Sequence, residues 1–99
     1  MKLIIAVIRP SIIDKIVAGL EEIEDFPGVT VSDVQGFGRP GDGGFSLAAD
    51  PMRAGKQLMI AANDDLAPLI VAELCRTAHT GRRGDGIILT LPIDSGFHL

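Results

Sequence analysis

Six apolar residues in a row, Leu3-Ile4-Ile5-Ala6-Val7-Ile8, stand near the start of this 99-residue chain and stop at Arg9-Pro10. No polar residue alternates with them, so a strand made from this run is apolar on both faces. A chain of this length builds one domain with one core, and one core covers one face of such a strand. The second face then has to be hidden by something else, for which self-association is the usual solution. A homo-oligomer is therefore expected from the strand alone.

The remaining segments supply partners for it. Apolar residues at Ile12, Ile13, Ile16, Val17, Leu20 and Ile23 recur at steps of three and four after Ser11, with Asp14 in the position of an imperfect capping box. That pattern predicts a helix started by Ser11 and closed by Phe26-Pro27-Gly28. Residues 29–34 are rich in β-formers and predict a second strand. Residues 58–62 predict a third, and Asn63-Asp64-Asp65 then offers caps for a second helix carrying Leu66, Leu69, Ile70, Leu74 and Cys75. Pro68 falls in the first turn of that helix, where a missing N–H does least harm. Gly81 ends it, and residues 87–91 predict a fourth strand. The order βαββαβ predicts an α+β fold, a ferredoxin-like sandwich in a single domain over residues 1–99. Between the second and third strands lie roughly 17 residues without periodicity, long for a compact domain and the mark of a functional loop.

Charge and residue usage exclude several functions. Nine Lys+Arg against 13 Asp+Glu leave a net charge of −4, and the only aromatics are four Phe, so neither a basic footprint nor stacking platforms for nucleic acid are expected. Cys75 is the single cysteine, which excludes an internal disulfide and a thiolate-cluster metal site; its helical apolar setting predicts a buried, inert thiol. The apolar run at residues 3–8 is too short for a signal-peptide core or a membrane span, so a cytoplasmic protein without membrane insertion is expected. His79 and His98 have no metal-ligand spacing, and His79 near a helix C-terminus suits the helix dipole. No catalytic constellation of Ser, His, Cys or carboxylates can be assembled, so no enzyme is expected.

Two glycine-rich segments remain. Gly36-Phe37-Gly38-Arg39-Pro40-Gly41 has the letters of a dinucleotide fingerprint, but Pro40 and the glycines after it cannot open the required helix. Thr80-Gly81-Arg82-Arg83-Gly84-Asp85-Gly86 combines glycines with adjacent arginines, a composition suited to a nest of backbone N–H groups around an anion. A helix cap followed by a tight turn with solvated arginines is the plainer reading of the same residues.

Taken in order along nearly the whole chain, IAVIRP (residues 5–10), VTVSDVQGFGR (residues 29–39) and TGRRGDG (residues 80–86) resemble the PII signal-transduction family. The pairing of the second and third segments carries the specificity of that resemblance. It implies a homotrimer whose sheets turn inward, with adenine nucleotides bound in clefts between subunits. It also implies a T-loop at residues 39–56 that engages a target, an enzyme or a membrane transporter, and a phosphate-cradling B-loop at residues 80–86. Carried over position by position, the nucleotide-binding residues are Thr30, Gly36, Gly38, Arg39, Gly84, Asp85 and Gly86, with Arg82 and Arg83 as further phosphate partners.

The departures from the family pattern are informative. Pro40 stands where the family has a glutamine that organises magnesium and 2-oxoglutarate, and Ile87 stands where it has a phosphate-pairing lysine. Residues 96–99 hold no arginine, where the family has two that bind phosphate, and there is no tyrosine for loop modification. Charge-assisted contacts are worth roughly 1.5–3 kcal/mol each, so ADP or AMP is expected to be favoured over Mg-ATP. By analogy with family branches outside nitrogen control, bicarbonate is a candidate co-ligand, and the resemblance implies a role in inorganic-carbon (bicarbonate or carboxysome) or nitrogen metabolism. A trimer like the CutA metal-tolerance proteins, of similar architecture and without nucleotide, is the alternative; it would use His79, His98 or Cys75. An acylphosphatase-like enzyme would need a motif around Arg9 and Asn63 that is not there.

Overall fold

A computed structural model describes residues 1–37, 53–81 and 84–99. Its elements are β1 (Lys2–Ile8), α1 (Ile13–Glu21), β2 (Thr30–Gly36), β3 (Arg53–Ala62), α2 (Ala67–Ala78) and β4 (Gly86–Pro92), with a short 3-10 turn at Pro10–Ile12 before α1. The strands form one antiparallel sheet in the order β2-β3-β1-β4. With both helices on one side, this is the ferredoxin-like α+β sandwich expected from the sequence.

The helices cover the sheet with narrow apolar stripes. Ile16 and Leu20 of α1, and Ala67, Ile70, Leu74, Thr77 and Ala78 of α2, are buried at helical spacing. They meet Ile4, Ala6 and Ile8 of β1 and Leu58, Ile60 and Ala62 of β3, all within one core. Fully burying side chains of this size contributes about 1.5–3 kcal/mol each. The alternate residues point to the other side of the sheet. Register aligns Thr30, Met59, Ile5 and Leu89 in one row across the four strands, and Ala61, Leu3 and Leu91 in another. Among the described residues no helix covers this face, and Met59, Leu89 and Leu91 are 41%, 43% and 38% exposed on the single chain. The face that the six-residue apolar run demanded is thus present.

Three boundaries differ from the sequence expectation. Ser11 does not cap α1: Pro10 opens a 3-10 turn, and the helix follows at Ile13 without a side-chain cap. Asn63 does accept a hydrogen bond, from the Leu66 N–H at 2.8 Å, but in the turn before α2 rather than at its N-cap, which is Leu66. The third difference concerns the loop. β3 begins at Arg53, so residues 53–56, expected in the T-loop, pair with β2 instead, with Gly36 opposite Arg53 and Val34 opposite Gly55. Lys56 and Asp33, opposite each other on these strands, form an ion pair.

Candidate functional site

One end of the sheet collects the residues of interest. Ile8 at the end of β1 lies opposite Lys56 of β3 and Gly86 of β4, and beyond Lys56 the β2–β3 pairing continues to Gly36 and Arg53. The segment between β2 and β3 therefore leaves and re-enters the sheet at the end where the turn between α2 and β4 arrives. Gly38 and Arg39, and Arg82 and Arg83, lie outside the described residues, as do residues 40–52 of the expected T-loop.

The turn into β4 is closed by Asp85. Its Oδ2 accepts a hydrogen bond from the Thr80 N–H at 2.7 Å, and its Oδ1 accepts one from the Thr80 hydroxyl at 2.6 Å. Arg9, just past β1, reaches the same place: its Nε donates to the Gly84 carbonyl at 3.1 Å and lies 3.7 Å from Asp85 Oδ1. His79, the C-cap residue of α2, brings Nδ1 to 3.8 Å from Asp85 Oδ2. Gly81 (φ 82), Gly84 (φ 84) and Gly86 (φ 131) supply the left-handed backbone that lets so short a segment turn back on itself. Successive N–H groups in such a backbone converge to form an anion-binding concavity.

Beside the turn is a cleft of about 290 Å³, walled by Ile8, Ala78, Ile87 and Ile88, with His79 and Asp85 at its polar side. Cys75 also lines it and is exposed, not buried as its apolar sequence context suggested. The reason is angular: the core-facing stripe of α2 runs through Ile70, Leu74, Thr77 and Ala78, and Cys75 sits one step outside it. Ile87 presents an apolar side chain to this cleft.

Of the expected nucleotide-binding residues, the structure gathers Gly84, Asp85 and Gly86 in the turn into β4, whereas Gly36 closes β2 on the sheet edge opposite β4. Thr30 lies at the other end of β2. It is six residues from Gly36 along β2, roughly 20 Å of extended strand, and on the sheet edge opposite β4, about 14 Å across three strand spacings. Sequence reasoning missed Arg9 as a site residue. Its signal was an arginine closing a buried strand, where a planar five-donor group needs fixed acceptors nearby. Among the described residues, no group of three or more His, Cys, Asp or Glu side chains is placed to hold a metal ion.

Burial raises the affinity of Asp85 for its proton, but the hydrogen bonds from the Thr80 hydroxyl and backbone N–H outweigh it, aided by the charges of Arg9 and His79. The carboxyl is held below the ordinary aspartate value of 3.8. A group with a depressed folded pKa stabilises the fold above its unfolded pKa, and the contribution is lost as pH falls through the folded value. Asp85→Asn is therefore expected to lower Tm most near neutral pH. The difference from the wild type should shrink toward zero once the solution is acid enough to protonate Asp85 in the folded chain. Thermal unfolding across pH 2.5–7 measures this, and a gap of constant size would contradict it.

The structure is an antiparallel α+β sandwich whose glycine-rich turn into β4 and β2–β3 connection lie at one sheet end. The chain matches the family described as Nitrogen regulatory protein P-II over residues 1–97, and it belongs to that family. It is 34% identical over 93 residues to a nitrogen regulatory protein P-II homolog of Arabidopsis thaliana, covering 89% of this chain and 47% of the relative. It is 31% identical to the nitrogen regulatory protein P-II of Azospirillum brasilense, covering 95% of this chain and 87% of the relative. Against that of Klebsiella oxytoca the identity is 34%, over 94% of this chain and 86% of the relative. The chain thus spans about half the length of the plant relative and most of the bacterial ones. Among the described residues, no helix is long and apolar enough to cross a membrane.

Proposed function

We propose that this protein is a non-catalytic, cytoplasmic P-II regulator that assembles as a homotrimer and binds an adenine nucleotide in the clefts between subunits. The observation that supports this reading best is the closed turn at residues 80–86, where Thr80 and Arg9 engage Asp85 and the Gly84 carbonyl. Glycine N–H groups on a fixed turn, with Arg82 and Arg83 in the same segment, suit a phosphate chain. Thr30 and Gly36, both on the sheet edge opposite Gly86, meet the turn across a cleft only if neighbouring subunits supply them separately. ADP or AMP is the preferred ligand, because Ile87 cannot make the phosphate contact of the family's lysine.

The bound state is read out through the segment between β2 and β3. A ligand shifts such a segment only by the difference in its affinity for the two arrangements. Its target is an enzyme or a membrane transporter. The relatives are named nitrogen regulatory proteins, which supports a role in nitrogen metabolism, whereas Pro40, at the position of the family's glutamine, supports inorganic carbon with bicarbonate as co-ligand.

Calorimetric titration with ATP, ADP and AMP, each with and without magnesium, 2-oxoglutarate and bicarbonate, tests the reading. Micromolar ADP or AMP binding that magnesium does not strengthen is the expected result. Dependence on bicarbonate would assign the carbon branch and dependence on 2-oxoglutarate the nitrogen branch. Silence across the panel would overturn nucleotide sensing.

A further inference from the structure

Arg9 reaches the turn from 75 residues away, and it touches two acceptors there. Its Nε donates to the Gly84 carbonyl at 3.1 Å and stands 3.7 Å from Asp85 Oδ1. The peptide between Gly84 and Asp85 is planar and trans, so its carbonyl and its N–H point in opposite directions. A carbonyl turned toward Arg9 therefore turns the Asp85 N–H away from Arg9. Meanwhile the Asp85 carboxylate brings a negative charge into a segment that is to receive an anion. The Thr80 hydroxyl and N–H occupy one oxygen each, and the guanidinium and His79 flank the group with positive charge.

We propose that Arg9 is a positioning residue of the phosphate-binding turn, fixing the Gly84–Asp85 peptide with its N–H toward the anion and offsetting the charge of Asp85. This deepens the nucleotide reading above and rests on it for the identity of the ligand. Arg9 acts through the turn and need not touch the phosphate itself. Its side chain is only a third exposed and springs from the end of β1, the central strand bonded on both sides, so its origin is fixed by the sheet. It also lines, with Pro10, Arg53 and Ala54, a groove at the start of β3. Arg9 therefore stands between the turn and the point where the β2–β3 segment re-enters the sheet, and a rotation of the Gly84–Asp85 peptide would be felt at both.

The test compares the wild type with Arg9→Gln and Arg9→Lys, using adenosine, AMP, ADP and inorganic pyrophosphate as probes. Arg9→Gln is expected to weaken ADP and pyrophosphate at least tenfold and AMP less, with no change for adenosine, since the lost alignment concerns phosphate alone. Arg9→Lys, which restores the charge beside Asp85 but not the planar fork, is expected to recover part of the ADP affinity. In the ligand-free protein, Arg9→Gln is expected to speed amide hydrogen exchange several-fold at Thr80, whose N–H is bonded to Asp85 Oδ2, while leaving α1 and α2 unchanged. Unchanged exchange in the turn overturns the proposal, as does an equal loss for adenosine and ADP. A wild type silent to every probe sinks the nucleotide reading instead, and the exchange measurement then decides by itself whether Arg9 positions the turn.

Discussion

Gly86→Ala is expected to cost the protein about 4 kcal/mol or more, a loss in the range reserved for strained or overpacked sites. Gly86 opens β4 opposite Ile8, with φ at +131°, and a Cβ there would lie 2.0 Å from the Val7 carbonyl oxygen and 3.2 Å from the Ile8 Cα. Those atoms are backbone of β1, which is bonded to β3 on one side and β4 on the other, so they cannot move without breaking a ladder. The torsional cost and the clash add to one another, against a total stability of roughly 5–15 kcal/mol for a domain of this size. Gly28 supplies the control: it too has positive φ, at +111°, but nothing lies within 4 Å of its Cβ position. Gly28→Ala should lose only about 1 kcal/mol, the torsional share. Urea denaturation of both variants measures the pair. Equal, small losses would mean that β4 can shift away from β1, and the tight closure of the turn would have to be abandoned.

The same glycine shows what the sequence makes legible and what it does not. Its place in TGRRGDG marks a glycine-rich turn, but the reason for glycine, a backbone oxygen of β1 some 80 residues earlier, depends on which strand becomes the neighbour of β4. Element order was legible because it rests on local periodicity: the apolar run of β1 and the three-and-four spacing of α1 and α2 need no knowledge of partners. Boundaries failed where partners decide. Arg53, Ala54 and Gly55 carry no alternating pattern and become strand because Gly36, Gln35 and Val34 stand opposite them. Arg9 was invisible as a site residue for the same reason, since its acceptor lies 75 positions away. Thr30 remains the opposite case: its role comes from family resemblance, and nothing within one chain brings it to the turn.

Met59→Glu is expected to leave the chain folded and to convert an oligomer into a monomer. Met59 lies on β3, one of the two central strands, in the row with Thr30, Ile5 and Leu89 on the face that no described helix covers. In the single chain it is already 41% exposed, so a glutamate there keeps its carboxylate in water and the core behind it, Leu58 and Ile60, is untouched. In an assembly that buries this face, each copy would carry an unpaired buried charge costing several kcal/mol. Three of them in a trimer would weaken association by many decades, since about 1.4 kcal/mol is a factor of ten. Leu69→Glu is the matched control, a more exposed apolar residue, 59% accessible, on α2 at the other side of the sheet. Light scattering after size exclusion at micromolar concentration should find wild type and Leu69→Glu as trimers and Met59→Glu as a monomer with an unchanged circular dichroism spectrum. A monomeric wild type, or a trimeric Met59→Glu, would remove the trimer. If the trimer holds, nucleotide binding must fail with it, because Thr30 of one subunit would no longer face the turn of the next. Loss of ADP binding in Met59→Glu, with the turn's amide exchange unchanged, would locate the ligand between subunits rather than within one.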